Sequence, residues 1–214
     1  MKILMNTGGI AATNCFVIAD ERARQAVMFD APNDTAGPLL DLVQKNGWDL
    51  VGLWLTHGHF DHVADHAVVT KRFPGAKVLI HRLDEAKLRD PQDTPFVLPL
   101  VIPGRCADGV LEEGQKLRVG GLEFEVMHTP GHAAGHVVYY CVGERVLVGG
   151  DLIIGGSVGR TDLPDSDHGQ MEASIRRVMS LPGQTRLLPG HGEIGTLDDE
   201  TQSNPYVQQM MQQY

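Results

Sequence analysis

The stretch Thr56-His57-Gly58-His59-Phe60-Asp61-His62 constrains this chain more than any other. It places four residues able to ligate a metal in one short segment, directly after the apolar run from Leu50 to Leu55, which reads as a buried strand. His57 and His59 are two apart, so in an extended or tightly turned segment both point the same way. Asp61 and His62 are adjacent, project differently, and can serve a second ion beside the first. The plain alternative is a polar loop that happens to be rich in histidine. Three histidines and an aspartate this close together favour a metal site.

Three further candidate donors lie downstream, each at the end of a predicted strand. They are His132 in Thr129-Pro130-Gly131-His132, Asp151 in Val148-Gly149-Gly150-Asp151, and His191 in Leu188-Pro189-Gly190-His191-Gly192. Glycines flank each one and allow a tight turn with close backbone approach to an ion. A lone histidine after Pro-Gly is ordinarily a loop residue, so the weight lies in the set.

The pattern between these points is that of an α/β chain. Strands are predicted at Lys2 to Met5, Thr13 to Ala19 and Gln25 to Phe29. A helix follows from Asp34 or Thr35 to about Asn46, with Leu39, Leu40, Leu42 and Val43 on its apolar face and Gly47 as its stop. A helix from Asp61 to about Phe73 ends at Pro74-Gly75, before a strand from Lys77 to Ile80 and a helical segment from Leu83 to Leu88. Asp90 to Gly109 carries four prolines and reads as an irregular flap over a site. Two hairpins follow, turning at Gly120-Gly121 and Gly143-Glu144, the second leading into Asp151. After a loop from Gly155 to Asp167 come an amphipathic helix from Met171 to Leu181, a strand from Arg186 to Leu188, and a final helix from about Asp198. Each half runs strands, helix, strand, ligand loop. Two such halves face to face predict a four-layer αββα sandwich with the donors along one edge.

A length of 214 residues suits one domain spanning residues 1–214. The net charge of −9, with no basic run, argues against nucleic acid and anionic membranes as partners; it says little about a small-molecule substrate, the expected partner, because a dinuclear cation site can reverse the local field. No apolar stretch suits a signal peptide or a membrane span, and Cys15, Cys106 and Cys141 form no zinc or redox motif. Cys15 and Cys141 read as small core residues. The expected compartment is a reducing cytoplasm; the oligomeric state is left open.

Together the five motifs resemble those of the metallo-β-lactamase-fold hydrolases, in the same order and at similar separations across the whole chain. Thr-His-Gly-His-x-Asp-His, Thr-Pro-Gly-His and Gly159-Arg160-Thr161-Asp162-Leu163-Pro164 look like the glyoxalase II group. Pro189-Gly190-His191-Gly192, followed by Ser203-Asn204-Pro205-Tyr206, looks like its short, single-domain bacterial branch. The resemblance implies that His57, His59 and His132 hold a first divalent metal, that Asp61, His62 and His191 hold a second, and that Asp151 bridges them. It implies a thioesterase cleaving an S-acylglutathione such as S-lactoylglutathione. Attack would come from a hydroxide bridging ions ~3.5–4 Å apart, with Asp61 also orienting it. Donors without sulfur suit zinc by default, with iron or manganese possible. Arg160 falls where the family places a cation on the glutathione moiety, and its fork suits a carboxylate.

The Gly-Arg-Thr-Asp segment also looks like that of persulfide dioxygenases, which hold one iron with two histidines and an aspartate. That is the alternative reading, with a lactonase or other carboxylic ester hydrolase a third. Among the other residues, His136 reads as a support behind the ligands, and Asp30 as a hydrogen-bond partner of the ligand loop or a turn cap. Ordinary core or solvated roles are expected for His66, His81, His128 and His168, and packing for Met210 and Met211.

Overall fold

The computed structural model describes residues 1–212. Its first sheet runs in the order β1 (Lys2–Gly8), β2 (Thr13–Asp20), β3 (Gln25–Phe29), β4 (Asp49–Trp54), β5 (Lys77–His81), β6 (Gly109–Leu111). The first three strands are antiparallel and the last three join in parallel. The second sheet contains β7 (Lys116–Val119), β8 (Leu122–His128), β9 (Val137–Cys141), β10 (Val146–Gly150), β11 (Arg186–Pro189) and β12 (Gly195–Thr196), again in chain order. All of it is antiparallel except the β10–β11 pair. The helices are α1 (Ala36–Lys45), α2 (Phe60–Val63), α3 (His66–Arg72), α4 (Glu85–Arg89), α5 (His168–Met179), α6 (Leu197–Ser203) and α7 (Pro205–Gln212).

The period-two alternation of buried strands builds the expected four layers. In β2, Cys15, Val17 and Ala19 join α1 and α3 residues in one core, while Phe16 and Ile18 enter another. In β9, Val137, Tyr139 and Cys141 share that second core, whereas Val138 and Tyr140 pack with α5 and α7 in a third. The second core is therefore the seam between the sheets. Its centre is an aromatic cluster of Phe29, Trp54, Phe124 and Tyr139, with ring centroids 5.1 to 5.9 Å apart. Phe29 and Trp54 are the last residues of their strands, so the cluster lies directly beneath the loops that follow. Tyr139 donates its hydroxyl to the Leu55 carbonyl at 2.7 Å and tethers one of those loops to the seam.

Several local expectations need correction. The single helix after the histidine loop is two, α2 and α3, because the Asp65 N–H turns back to the Ala31 carbonyl. Thr35 stands at the start of α1 without capping it through its side chain. The Asp65 carboxylate accepts from the Thr35 and Ala36 amides instead, a cap supplied from 29 to 30 residues away. The C-terminal helix is likewise split at Asn204-Pro205, since proline has no N–H to continue the ladder. Strands β6 and β12, of three and two residues, were too short for a sequence pattern to show.

Candidate metal centre

Every predicted donor lies past the carboxyl end of a strand, on one rim of the sandwich. His57, His59, Asp61 and His62 follow β4, His132 follows β8, Asp151 follows β10 and His191 follows β11. Among the described residues, three sets of donor atoms lie within 4.8 Å of one another. They are His57, His59 and His132; His57, His62 and Asp151; and Asp61, His62 and His191. His59 Nδ1 stands 3.1 Å from His57 Nε2 and 2.9 Å from His132 Nε2. Asp151 Oδ2 is 3.5 Å from His132 Nε2 and 3.2 Å from His191 Nε2, while Oδ1 is 3.3 Å from His62 Nε2. Asp61 Oδ2 closes the second group, 3.6 Å from His62 Nε2 and 3.5 Å from His191 Nε2. Asp151 thus joins both clusters, as a bridging donor must.

The far sides of the rings fix which nitrogen is bare. His62 Nδ1–H donates to Asp30 Oδ2 at 2.9 Å, and His132 Nδ1–H to the Arg160 carbonyl at 2.9 Å. Thr56 gives its hydroxyl proton to Asp30 Oδ2, so its oxygen accepts from His57 Nδ1–H at 3.0 Å. The Nε2 atoms of all three rings therefore point inward, toward one another and the carboxylates. His62 Nε2 and Asp151 Oδ1 are buried without a hydrogen-bond partner. Inward lone pairs and orphaned buried donors are what a cation satisfies, so these residues fit a metal centre.

Electrostatics agrees. Burial, followed by His62, His59 and His132, pushes His57 well below the ordinary histidine range. His59 is pushed down to about 2, by burial first and then by His132 and Lys87. Burial opposes a charge on His62, yet Asp151, Asp61 and Asp30 raise it well above the usual value. Burial opposes the Asp151 charge too, but His62, His191 and His132 hold its carboxyl well below the carboxylate range. One side keeps its imidazoles neutral and the other attracts positive charge, both of which ligation requires.

Glycines make room for this arrangement. A Cβ on Gly190 would lie 2.1 Å from Asp151 Oδ1, and Gly150 takes a left-handed φ of +48° with Thr56 and His136 against it. His136 carries the support expected of it, accepting from the Asp151 amide at 3.0 Å while its Nδ1 meets Thr129 Oγ1. Asp30 does hold the ligand loop, accepting also from the Thr56 amide at 2.8 Å, from a left-handed φ of 56°.

Two residues of β2 complete the rim without any sequence signal. Thr13 Oγ1 donates to Asp61 Oδ2 at 2.8 Å. Asn14 clasps the His191 loop: its side-chain amide reaches the Pro189 and Gly192 carbonyls, and its backbone N–H reaches the Gly190 carbonyl.

A cavity of about 670 Å³ opens onto the donors. Phe60, Pro91, Pro95, Phe96, Leu163 and Pro164 give it an apolar wall, so the proline-rich segment does flank the site. Arg160 lines the cavity, its guanidinium 5.8 Å from the Phe96 ring centre and paired with Asp162. The other histidines stay apart from the donors: His66 Nε2–H donates to the Pro103 carbonyl, His81 stacks on His128, and His168 pairs with Glu172. Met210 is packed, whereas Met211 is exposed.

A family model for the metallo-beta-lactamase superfamily matches residues 8–191. The chain belongs to this superfamily. At that level it is a metallo-hydrolase, and the fold implies a dinuclear metal site. The chain is 35% identical over 205 residues to an uncharacterized protein of Aquifex aeolicus, covering 95% of each. It is 31% identical to the hydroxyacylglutathione hydrolase GloC of Haemophilus influenzae, across 91% of this chain and 92% of GloC. Among solved structures, the BLEG-1 B3 metallo-beta-lactamase superposes with a TM-score of 0.89 at 32% identity, covering 96% of this chain and 99% of that one. TTHA1623, in a di-iron-bound form, superposes at 0.79 with 35% identity over 95% and 99%. ETHE1 from Myxococcus xanthus superposes at 0.79 with 26% identity over 97% and 84%. Among the described residues no helix is long and apolar enough to cross a membrane.

Proposed function

We propose that the chain is a thioesterase that cleaves S-acylglutathione, with S-lactoylglutathione as the representative substrate. His57, His59 and His132 would hold one divalent metal, Asp61, His62 and His191 the other, and Asp151 would bridge them. The observation that carries this is the convergence of inward-facing Nε2 lone pairs on a shared carboxylate; likeness to GloC supports the substrate. When bound, two such ions lower the pKa of water toward neutrality and polarise a carbonyl. Zinc is the default; the sulfur-free donor set also suits iron or manganese, and the di-iron-bound relative supports iron as the alternative.

The protein's own contribution is placement. Asp30 and Thr56 lock the His57 and His62 tautomers, and Thr13 holds Asp61 at the cavity floor, where its carboxylate orients the attacking water. A thiolate leaves without a strong general acid, and no serine or cysteine nucleophile is needed. Arg160 stands at the cavity wall to meet a substrate carboxylate, exchanging Asp162 for it.

Metal content and turnover of one anaerobically purified sample test the proposal. The expected result is about two metals per chain and hydrolysis of S-lactoylglutathione, lost in Asp151→Ala. Arg160→Met should raise KM about tenfold with kcat little changed, as for an interaction equal in ground and transition states. The Gly159-Arg160-Thr161-Asp162 segment sustains the dioxygenase alternative. One iron per chain and oxygen uptake with glutathione persulfide, without hydrolysis, would replace the thioesterase by it. Lactone cleavage alone would retain the hydrolase and remove glutathione.

A further inference from the structure

We propose that Asp84 is a positioning residue for the first metal's donors, a single carboxylate that sets the gap between a ligand loop of the first sheet and one of the second. The inference rests on the metal-centre reading and not on the thioester. Asp84 ends a 3₁₀ turn after β5 and is fully buried. Its Oδ2 accepts from the Gly58 amide at 2.7 Å, between His57 and His59. Its Oδ1 accepts from the Gly135 amide at 2.8 Å, in the loop that carries His132. The two loops are also joined at their base, where the Val137 N–H meets the Thr56 carbonyl. Asp84 holds them further out, where His59 and His132 stand 2.9 Å apart.

Both glycines are needed for this contact. A Cβ on Gly135 would lie 2.7 Å from Asp84 Cγ, and one on Gly58 would lie 2.9 Å from the Asp84 carbonyl oxygen. The loops are laid against the carboxylate with no side chain between. A buried carboxylate is costly unless paired, and Lys87 Nζ pairs with Asp84 Oδ1 at 3.2 Å. Lys87 also pairs with Asp165, whose Oδ2 accepts from the Ala134 amide of the His132 loop at 3.3 Å. One charge network therefore joins α4, both ligand loops and the cavity wall. Lys87 and Asp165 line the cavity, but Asp84 touches no donor and acts only through the two backbones.

The test is the release of metal from the loaded protein against rising chelator. Asp84→Asn can accept from one amide but turns its NH₂ toward the other. It should give up one metal per chain at a chelator concentration lowered about tenfold or more, the usual size for a lost support behind ligands. The other metal should leave where it does in the wild type. In a His191→Ala background, which lacks a second-site donor, the remaining metal should show the same shift. Gly135→Ala keeps the carboxylate and disturbs the contact, so it should reproduce the effect and decides the matter if Asp84→Asn does not fold. Wild-type release in both variants overturns the proposal. Equal weakening of both sites together with a lowered Tm also overturns it, because that marks a purely structural role. Substrate plays no part in the readout, so a failed thioesterase assay leaves this result interpretable.

Discussion

Replacing Asp30 by asparagine should convert a ligand-orienting group into a ligand-disorienting one without changing its shape. Asp30 Oδ1 accepts from the Thr56 amide, and Oδ2 accepts from Thr56 Oγ1 and His62 Nδ1, all at 2.8 to 2.9 Å. Asparagine can keep the first bond through its carbonyl oxygen. Its NH₂ then faces the other two groups. The Thr56 hydroxyl can turn and accept from that NH₂, leaving a second lone pair for His57 Nδ1–H. His62 has no such freedom, because its Nδ1–H would meet another donor. The ring escapes by moving its proton to Nε2, the atom that faces Asp61 and Asp151. Second-site metal must then displace that proton and restore an unpaired donor at Nδ1. A hydrogen bond to a charged group contributes about 1.5–3 kcal/mol, so affinity should fall roughly 10- to 150-fold at 1.4 kcal/mol per decade. Competition with a chromophoric chelator measures this directly, and His57, still held by Thr56, predicts a much smaller change at the other site. Wild-type affinity at both sites in Asp30→Asn would refute the tautomer argument.

Two further predictions follow from the same geometry. Gly190→Ala places a Cβ 2.1 Å from Asp151 Oδ1 and 2.9 Å from His62 Cε1. Displacing a shared carboxylate by that much should cost about 100-fold or more in turnover, with metal content reduced in the same sample. His66 is buried, and burial lowers its pKa against the opposing Pro103 carbonyl. As pH falls below the ordinary histidine value the unfolded chain takes up a proton that the folded chain refuses, so stability drops. His66→Gln should therefore flatten the decline of the urea midpoint between about pH 7 and about 5, and an unchanged slope would contradict the assignment.

The sequence exposed the donors because they cluster locally or sit between glycines, and local spacing survives folding. It exposed the layers for the same reason, since β2 and β3 are buried on both faces and each alternate residue enters a different core. What it hid depends on distance along the chain. Asp84, in His81-Arg82-Leu83-Asp84-Glu85, looks like an ordinary acid opening a helix, and only the folded sheets bring Gly58 and Gly135 to it. Asp65 caps α1 from beyond a strand, which no reading of the residues around Thr35 can anticipate. Thr13 and Asn14 sit in an otherwise unremarkable strand, and their partners lie 48 and 175 residues away.

The Asn14 clasp bears on the order in which the molecule can assemble. Its side chain spans 175 residues to Pro189 and 178 to Gly192, and the Thr13–His191 bridge links residues equally far apart. Contacts of such long range are entropically expensive to close and tend to form late. The first group of donors is complete once His132 has been made, whereas the second waits for His191 and for β2 to receive it. A ribosome-bound chain can thus gather His57, His59 and His132 long before it owns a second site. The second set of donors therefore depends on a contact that the first does not need, the one that brings the His191 loop onto β2.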